Sequence, residues 1–165
     1  MDLFDYIKHD GPSGQNQYMG LLRGEDYSPK PAFFALQTLC TLFDAATRRW
    51  QASMFFERSL PDRPALAVNP ALIRTAAFRR GDTVLYAYWM PADFDQSFPG
   101  VTVPASVWHG AATPWQEPVL IDPVQQIVYR LPADSVDPAG GAFRLPLLDG
   151  PLLLTDGAAI AMQRV

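Results

Sequence analysis

Cysteine occurs once in these 165 residues, as Cys40, and histidine twice, as His9 and His109. A lone cysteine excludes an internal disulfide, and two histidines with one cysteine supply no metal-ligand spacing. Basic charge is sparse as well. Thirteen Lys and Arg against seventeen Asp and Glu leave a net charge of −4, with a pI near 5.0. The cations stand singly or in pairs such as Arg48-Arg49 and Arg79-Arg80, which is not the electrostatic footprint of a nucleic-acid-binding protein. No apolar run approaches the roughly 20 residues that a bilayer-spanning helix needs. The opening Met1-Asp2-Leu3-Phe4-Asp5-Tyr6 lacks the basic n-region and apolar core of a signal peptide. A chain that begins on an apolar, strand-like run without a polar lead-in is expected to be truncated.

What is present describes a protein with a core: 48% hydrophobic and 18% charged residues, in a length that suits one domain or one domain plus a fragment of another. Prolines outnumber glycines, sixteen to eleven, and fall mostly between short apolar runs. That placement suits strands joined by tight connections.

Only one stretch carries a long helical signal. Ser28 is a suitable N-cap, Pro29 a suitable first helical residue, and Pro31 still falls within the first turn. The helix is therefore expected from Ser28 to Ala46. Phe33, Leu36, Leu39, Cys40, Leu42 and Phe43 form its apolar stripe, with Cys40 expected as a small buried hydrophobe. The cations of Thr47-Arg48-Arg49 suit its C-terminal end. Before it lie a strand-like run at 2–7, a polar loop at 8–17 and a second extended run at 18–22. One such β/α unit cannot bury both faces of its strand.

After the helix the pattern changes to short strands: 52–58, 73–80, 83–89, 101–107, 118–122, 127–131, 142–148 and 158–163, with a short piece at 152–154. Gly81-Asp82 between Arg80 and Thr83 has the Gly-X form favoured in a II′ hairpin, and Asp122 to Gln126 links two more strands by a longer loop. In Thr83–Trp89 both parities are largely apolar, so this strand is expected at the centre of the core. The fold class is mainly β: an antiparallel β-sandwich of about eight strands preceded by one β/α unit.

The order of features in residues 1–46 resembles the end of the barrel in the (β/α)8 glycoside hydrolases of clan A, the group of β-xylosidases and β-galactosidases. The resemblance rests on Tyr18-Met19-Gly20-Leu21-Leu22 followed by Pro29-Lys30-Pro31-Ala32-Phe33-Phe34-Ala35-Leu36. It extends to Val119–Leu131, which is similar to a hairpin of the sandwich that follows such barrels, and to Leu147–Leu154, similar to its closing strands. It implies a barrel remnant at 1–46 and a C-terminal accessory sandwich at 47–165. In retaining members the two catalytic glutamates come from the fourth and seventh barrel strands, which this chain does not contain, so no catalytic residue is assigned here. The implied partner is the missing barrel, and a helix face made for that barrel invites self-association.

Candidate chemistry is thin. Asp5, Tyr6, His9 and Asp10 lie where the resemblance puts the substrate end of a barrel, and in an intact parent they would bind sugar hydroxyls; a small stand-alone glycosidase is the alternative they allow. No Gly-x-Ser-x-Gly elbow accompanies His9 or His109. Gly11-Pro12-Ser13-Gly14 and Gly140-Gly141 are turns rather than phosphate cradles, and no motif calls for a cofactor or metal. Trp108 and Trp115 flank a turn-rich segment and are the candidates for stacking on carbohydrate, as in a carbohydrate-binding module. Trp89 is assigned to the core, and Trp50 to the junction of barrel and sandwich.

Overall fold

The computed structural model describes residues 21–23, 26–57, 72–91, 101–108, 115–137, 141–148 and 150–159. The expected strand at 2–7, the loop at 8–17, Asp5, Tyr6, His9, Asp10 and His109 lie outside these residues, as does most of the expected strand 158–163. The chain divides into two compact units, residues 1–44 with 123–127, and residues 45–122 with 128–165.

In the first unit the helix, α1, runs Pro31–Leu42 rather than Ser28 to Ala46. Lys30 is its N-cap, in extended backbone (φ −89°, ψ 164°) and without a side-chain cap. A residue before proline is driven out of the helical region by the ring, so Pro31 prevents Lys30 and everything before it from joining. Ser28 is engaged elsewhere. Its N–H donates to Asp26 Oδ1 (2.9 Å), and its hydroxyl accepts from Arg23 (3.0 Å). Those bonds close a small loop in which Leu22 bridges Pro29 and Tyr27 takes a left-handed conformation (φ 57°). The Ser28 hydrogen bonds also hold the Asp26 carboxyl below its usual range.

The inner side of α1 keeps Phe33, Leu39, Leu42 and Phe43 of the expected stripe but not Leu36 and Cys40. Ala35, Thr38 and Leu39 are half-buried and Leu42 is buried, whereas Leu36 and Cys40 face outward. The apolar residues wrap around more than one face, so periodicity alone did not select between the line through 36 and 40 and the line through 35, 39 and 42. Cys40 is thus exposed, not a core residue.

The second unit holds two antiparallel sheets in a sandwich-like arrangement. Its strands are β1 (Arg48–Arg49), β2 (Ser53–Phe56), β3 (Arg74–Arg80), β4 (Thr83–Trp89), β5 (Val101–Trp108), β6 (Pro118–Asp122), β7 (Ile127–Arg130), β8 (Val136–Asp137), β9 (Ala142–Leu147) and β10 (Leu152–Asp156). One sheet has six strands in the order β1-β3-β4-β10-β6-β7, and the other has four in the order β2-β5-β9-β8. Arg48 and Arg49, expected at a helix end, pair instead with Arg79 and Phe78 as β1. The short piece expected at 152–154 is β10, a full strand lying between β4 and β6.

The β3–β4 hairpin forms as the sequence predicts. Arg80 pairs with Thr83, and Gly81 alone of the two turn residues has positive φ (59°), the pattern of a II′ turn. Arg79 fastens it, donating to the Gly81 carbonyl (2.6 Å), pairing with Asp82 (3.0 Å) and lying over the Trp50 ring at 4.5 Å. In the four-stranded sheet, Val107 N–H donates to the Gly141 carbonyl (2.8 Å). Gly141 has φ 65°, and a Cβ there would stand 2.5 Å from the Val107 oxygen, so this position takes glycine for two separate reasons.

Alternation fills the space between the sheets. Val84, Tyr86 and Tyr88 of β4 and Leu152 and Leu154 of β10 meet Val103, Ala105 and Val107 of β5 and Phe143, Leu145 and Leu147 of β9. A fully buried leucine contributes about 1.5–3 kcal/mol, and Leu145, Leu147 and Leu154 all qualify. The residues of opposite parity in the six-stranded sheet are buried too: Leu85 and Ala87, Val119 and Ile121, Leu153 and Thr155. β4 is therefore central, with both faces covered. Thr155 would leave a polar atom stranded there, but its hydroxyl donates to the Val84 carbonyl (2.9 Å).

Candidate functional site

Proline shapes the outer part of the four-stranded sheet. Glu57 N–H donates to the Pro104 carbonyl (3.0 Å) just beyond the end of β2. In an antiparallel pair the N–H and C=O of one residue point to the same neighbour, so Pro104 returns no hydrogen bond, and the β2–β5 ladder ends there. The sheet beyond β2 leaves β5 and β9 to carry the surface.

Trp108 ends β5 and is 59% exposed. Trp115, expected beside it as a second sugar-stacking ring, is 7% exposed and belongs to the core. Its ring packs edge-on against Tyr86 (centroids 5.5 Å) and Phe143 (5.7 Å), leaving no face for a ligand. The two tryptophans are close in sequence, but β5 ends at one and the other lies before β6, so they are directed independently.

The partner of Trp108 is Phe55, 63% exposed. β2 pairs Ser53 with Trp108 and Phe55 with Ser106, which makes Phe55 and Trp108 diagonal neighbours on one face, roughly 7–8 Å apart at their Cα atoms. The signal lay in Met54-Phe55-Phe56. Adjacent strand residues face opposite ways, and Met54 and Phe56 turn inward, Phe56 against the Tyr88 ring at 5.3 Å. Phe55 then has to point out.

The same unit holds a cleft of about 640 Å³. Leu120, Leu152 and Leu148 supply its apolar floor, and Thr102, Arg144 and Pro146 one wall. Across from them stand Tyr129 and Arg130 of β7 with Asp122, Asp134 and Ser135. Asp122 is 8% exposed, while Arg130 reaches outward to Glu117 (3.1 Å). Ser135 is held by its hydroxyl to the Pro132 carbonyl (2.7 Å) within a short 3₁₀ turn at Ala133–Ser135. An apolar floor with a polar rim carrying both signs of charge suits a small amphipathic ligand. Composition and motif reading missed this cleft because its residues come from five separate segments.

Among the described residues, no group of three His, Cys, Asp or Glu is arranged to hold a metal ion, and no helix is long and apolar enough to cross a membrane. No family model and no curated protein matches the chain.

Proposed function

We propose that the chain is the C-terminal accessory region of a clan A-type (β/α)8 glycoside hydrolase: the last β/α unit of its barrel followed by a β-sandwich that performs no catalysis alone. One observation supports this reading above others. A helix opening at Pro31 within Lys30-Pro31-Ala32 is followed, in one chain, by an antiparallel body of two sheets. That is the succession the sequence resemblance implies. Catalysis in such barrels draws on carboxylates from several strand ends, and one β/α unit contributes only one of them.

The test is turnover of a panel of nitrophenyl glycosides by the purified chain. None above buffer is expected. Turnover that disappears on Asp5→Asn overturns the reading in favour of a small stand-alone glycosidase using Asp5, His9 and Asp10. The coding DNA upstream of Met1 tests parentage: further in-frame β/α units are expected, and a ribosome site directly before Met1 counts against it.

A second reading, a carbohydrate-binding module, is favoured by the exposed ring of Trp108. Saturable oligosaccharide binding that Trp108→Ala abolishes would support it.

A further inference from the structure

We propose that the outward face of the four-stranded sheet binds a neutral, linear oligosaccharide laid along β5, from the Trp108 ring to the cleft wall at Thr102 and Arg144. The inference rests on the carbohydrate-binding reading and extends it from one ring to a built surface.

Alternation defines the face. Val103, Ala105 and Val107 point into the core, so Thr102, Pro104, Ser106 and Trp108 point out, and on β9 Arg144 lies beside Pro104 in the register. Thr102, Ser106, Trp108, Phe55 and Arg144 are all exposed. Six residues of extended chain separate Thr102 from Trp108, roughly 20 Å at about 3.3 Å per residue, which is room for several sugar rings end to end.

The chemistry along that length changes in a way that suits a sugar chain. At one end, Phe55 and Trp108 offer ring faces on which the C–H face of a pyranose packs. The Ser106 hydroxyl stands in the next row, both donor and acceptor. Toward the far end, Arg144 and Thr102 lie where the strip meets the cleft, a guanidinium being able to donate to adjacent sugar hydroxyls and a threonine supplying a further hydroxyl. Charge narrows the ligand further. Glu57 and Arg144 flank Pro104 with opposite signs, so the strip has no excess of cations to attract a polyanion.

Isothermal titration of the full chain with cellohexaose, xylohexaose and mannohexaose, and with their disaccharides, tests this. At least one hexasaccharide is expected to bind saturably and about tenfold or more tighter than its disaccharide, with Trp108→Ala and Arg144→Ala each weakening it by about tenfold or more. Leu72→Ala, at an exposed apolar residue away from the strip, is expected to leave binding unchanged. If Trp108→Ala abolishes binding while Arg144→Ala and chain length have no effect, the strip is overturned and the single-ring reading stands. Absence of saturable binding by every probe overturns both.

Discussion

The Tyr88 hydroxyl, carried on β4 of the six-stranded sheet, donates a 3.0 Å hydrogen bond to the Pro146 carbonyl on β9 of the four-stranded sheet. Tyr86, one turn of the pleat away, does the same to the Trp108 carbonyl at 2.9 Å. Packing between sheets is otherwise non-directional, and these two bonds fix how the sheets are set against each other. Tyr88→Phe keeps the ring and removes the donor, leaving the Pro146 oxygen without it. A loss of about 1–2 kcal/mol is expected, read as a lower midpoint in urea with an unchanged slope.

Alkaline pH provides a second measurement on the same pair. Burial pushes both hydroxyls well above the ordinary tyrosine range. Above a pH of about 10 the unfolded chain releases these protons while the folded chain keeps them, so the unfolded state binds fewer protons and stability falls as pH rises. Below that pH the contribution is fully present. Melting temperature is expected to hold steady from neutral pH to about 10 on this account and then decline. The decline is expected to be shallower in Tyr88→Phe; an identical decline in the variant would refute the assignment.

Gly141 offers a sharper contrast with Gly81. Both have positive φ, but a side chain at Gly81 meets nothing within 4 Å, whereas one at Gly141 meets the Val107 oxygen at 2.5 Å. Gly81→Ala is expected to cost about 1 kcal/mol, for conformation alone. Gly141→Ala is expected to cost clearly more, because the β5–β9 backbone must part to admit the methyl group. Equal denaturation midpoints for the two variants would show that the close approach at Val107 is not maintained in solution.

Asp156 gathers three backbone amides. Its carboxylate accepts from Gln116 (2.8 Å), Glu117 (3.2 Å) and Ala158 (2.9 Å), tying the entry to β6 to the turn after β10. Asp156→Ala is expected to destabilise by about 1–3 kcal/mol. More diagnostic is hydrogen exchange, in which the amides of Gln116, Glu117 and Ala158 should lose protection together while those of β4 keep theirs.

Cys40 faces outward on α1. A thiol reagent such as dithionitrobenzoate is expected to modify the native chain at one site, at a rate close to that of the unfolded chain. Protection of the thiol until denaturant is added would mean that the helix presents the other face.

The contrast between well-read and misread residues has a physical basis. The β3–β4 hairpin is legible because its turn chemistry is local: glycine at the one position that needs positive φ, between two strands of matching parity. The apolar residues of both parities in Thr83–Trp89 likewise announce a strand buried on both faces. Ser28 misleads because two prolines compete to start the helix, and the later one decides. Leu36 and Cys40 mislead because a nearly all-apolar helix does not declare which face is inside. Trp108 and Trp115 differ for a reason no composition carries: one falls on the outward parity of β5, and the other packs between Tyr86 and Phe143. The cleft and the strip along β5 exist only once strands distant in sequence have paired. Asp5, Tyr6, His9 and Asp10 stay a proposal on the resemblance alone.

The position of β10 has a consequence for how the protein comes into being. The last strand among the described residues, Leu152–Asp156, sits in the interior of the six-stranded sheet and joins β4 to β6 through Leu154, which pairs with both Tyr86 and Leu120. During synthesis the β3–β4 hairpin emerges long before that strand does. The two sides of the larger sheet then wait, with apolar edges unpaired, until Leu152–Asp156 leaves the ribosome. Closing the sheet is a long-range event, so folding should be slow, and a ribosome that stalls before Leu152 should release an aggregation-prone chain.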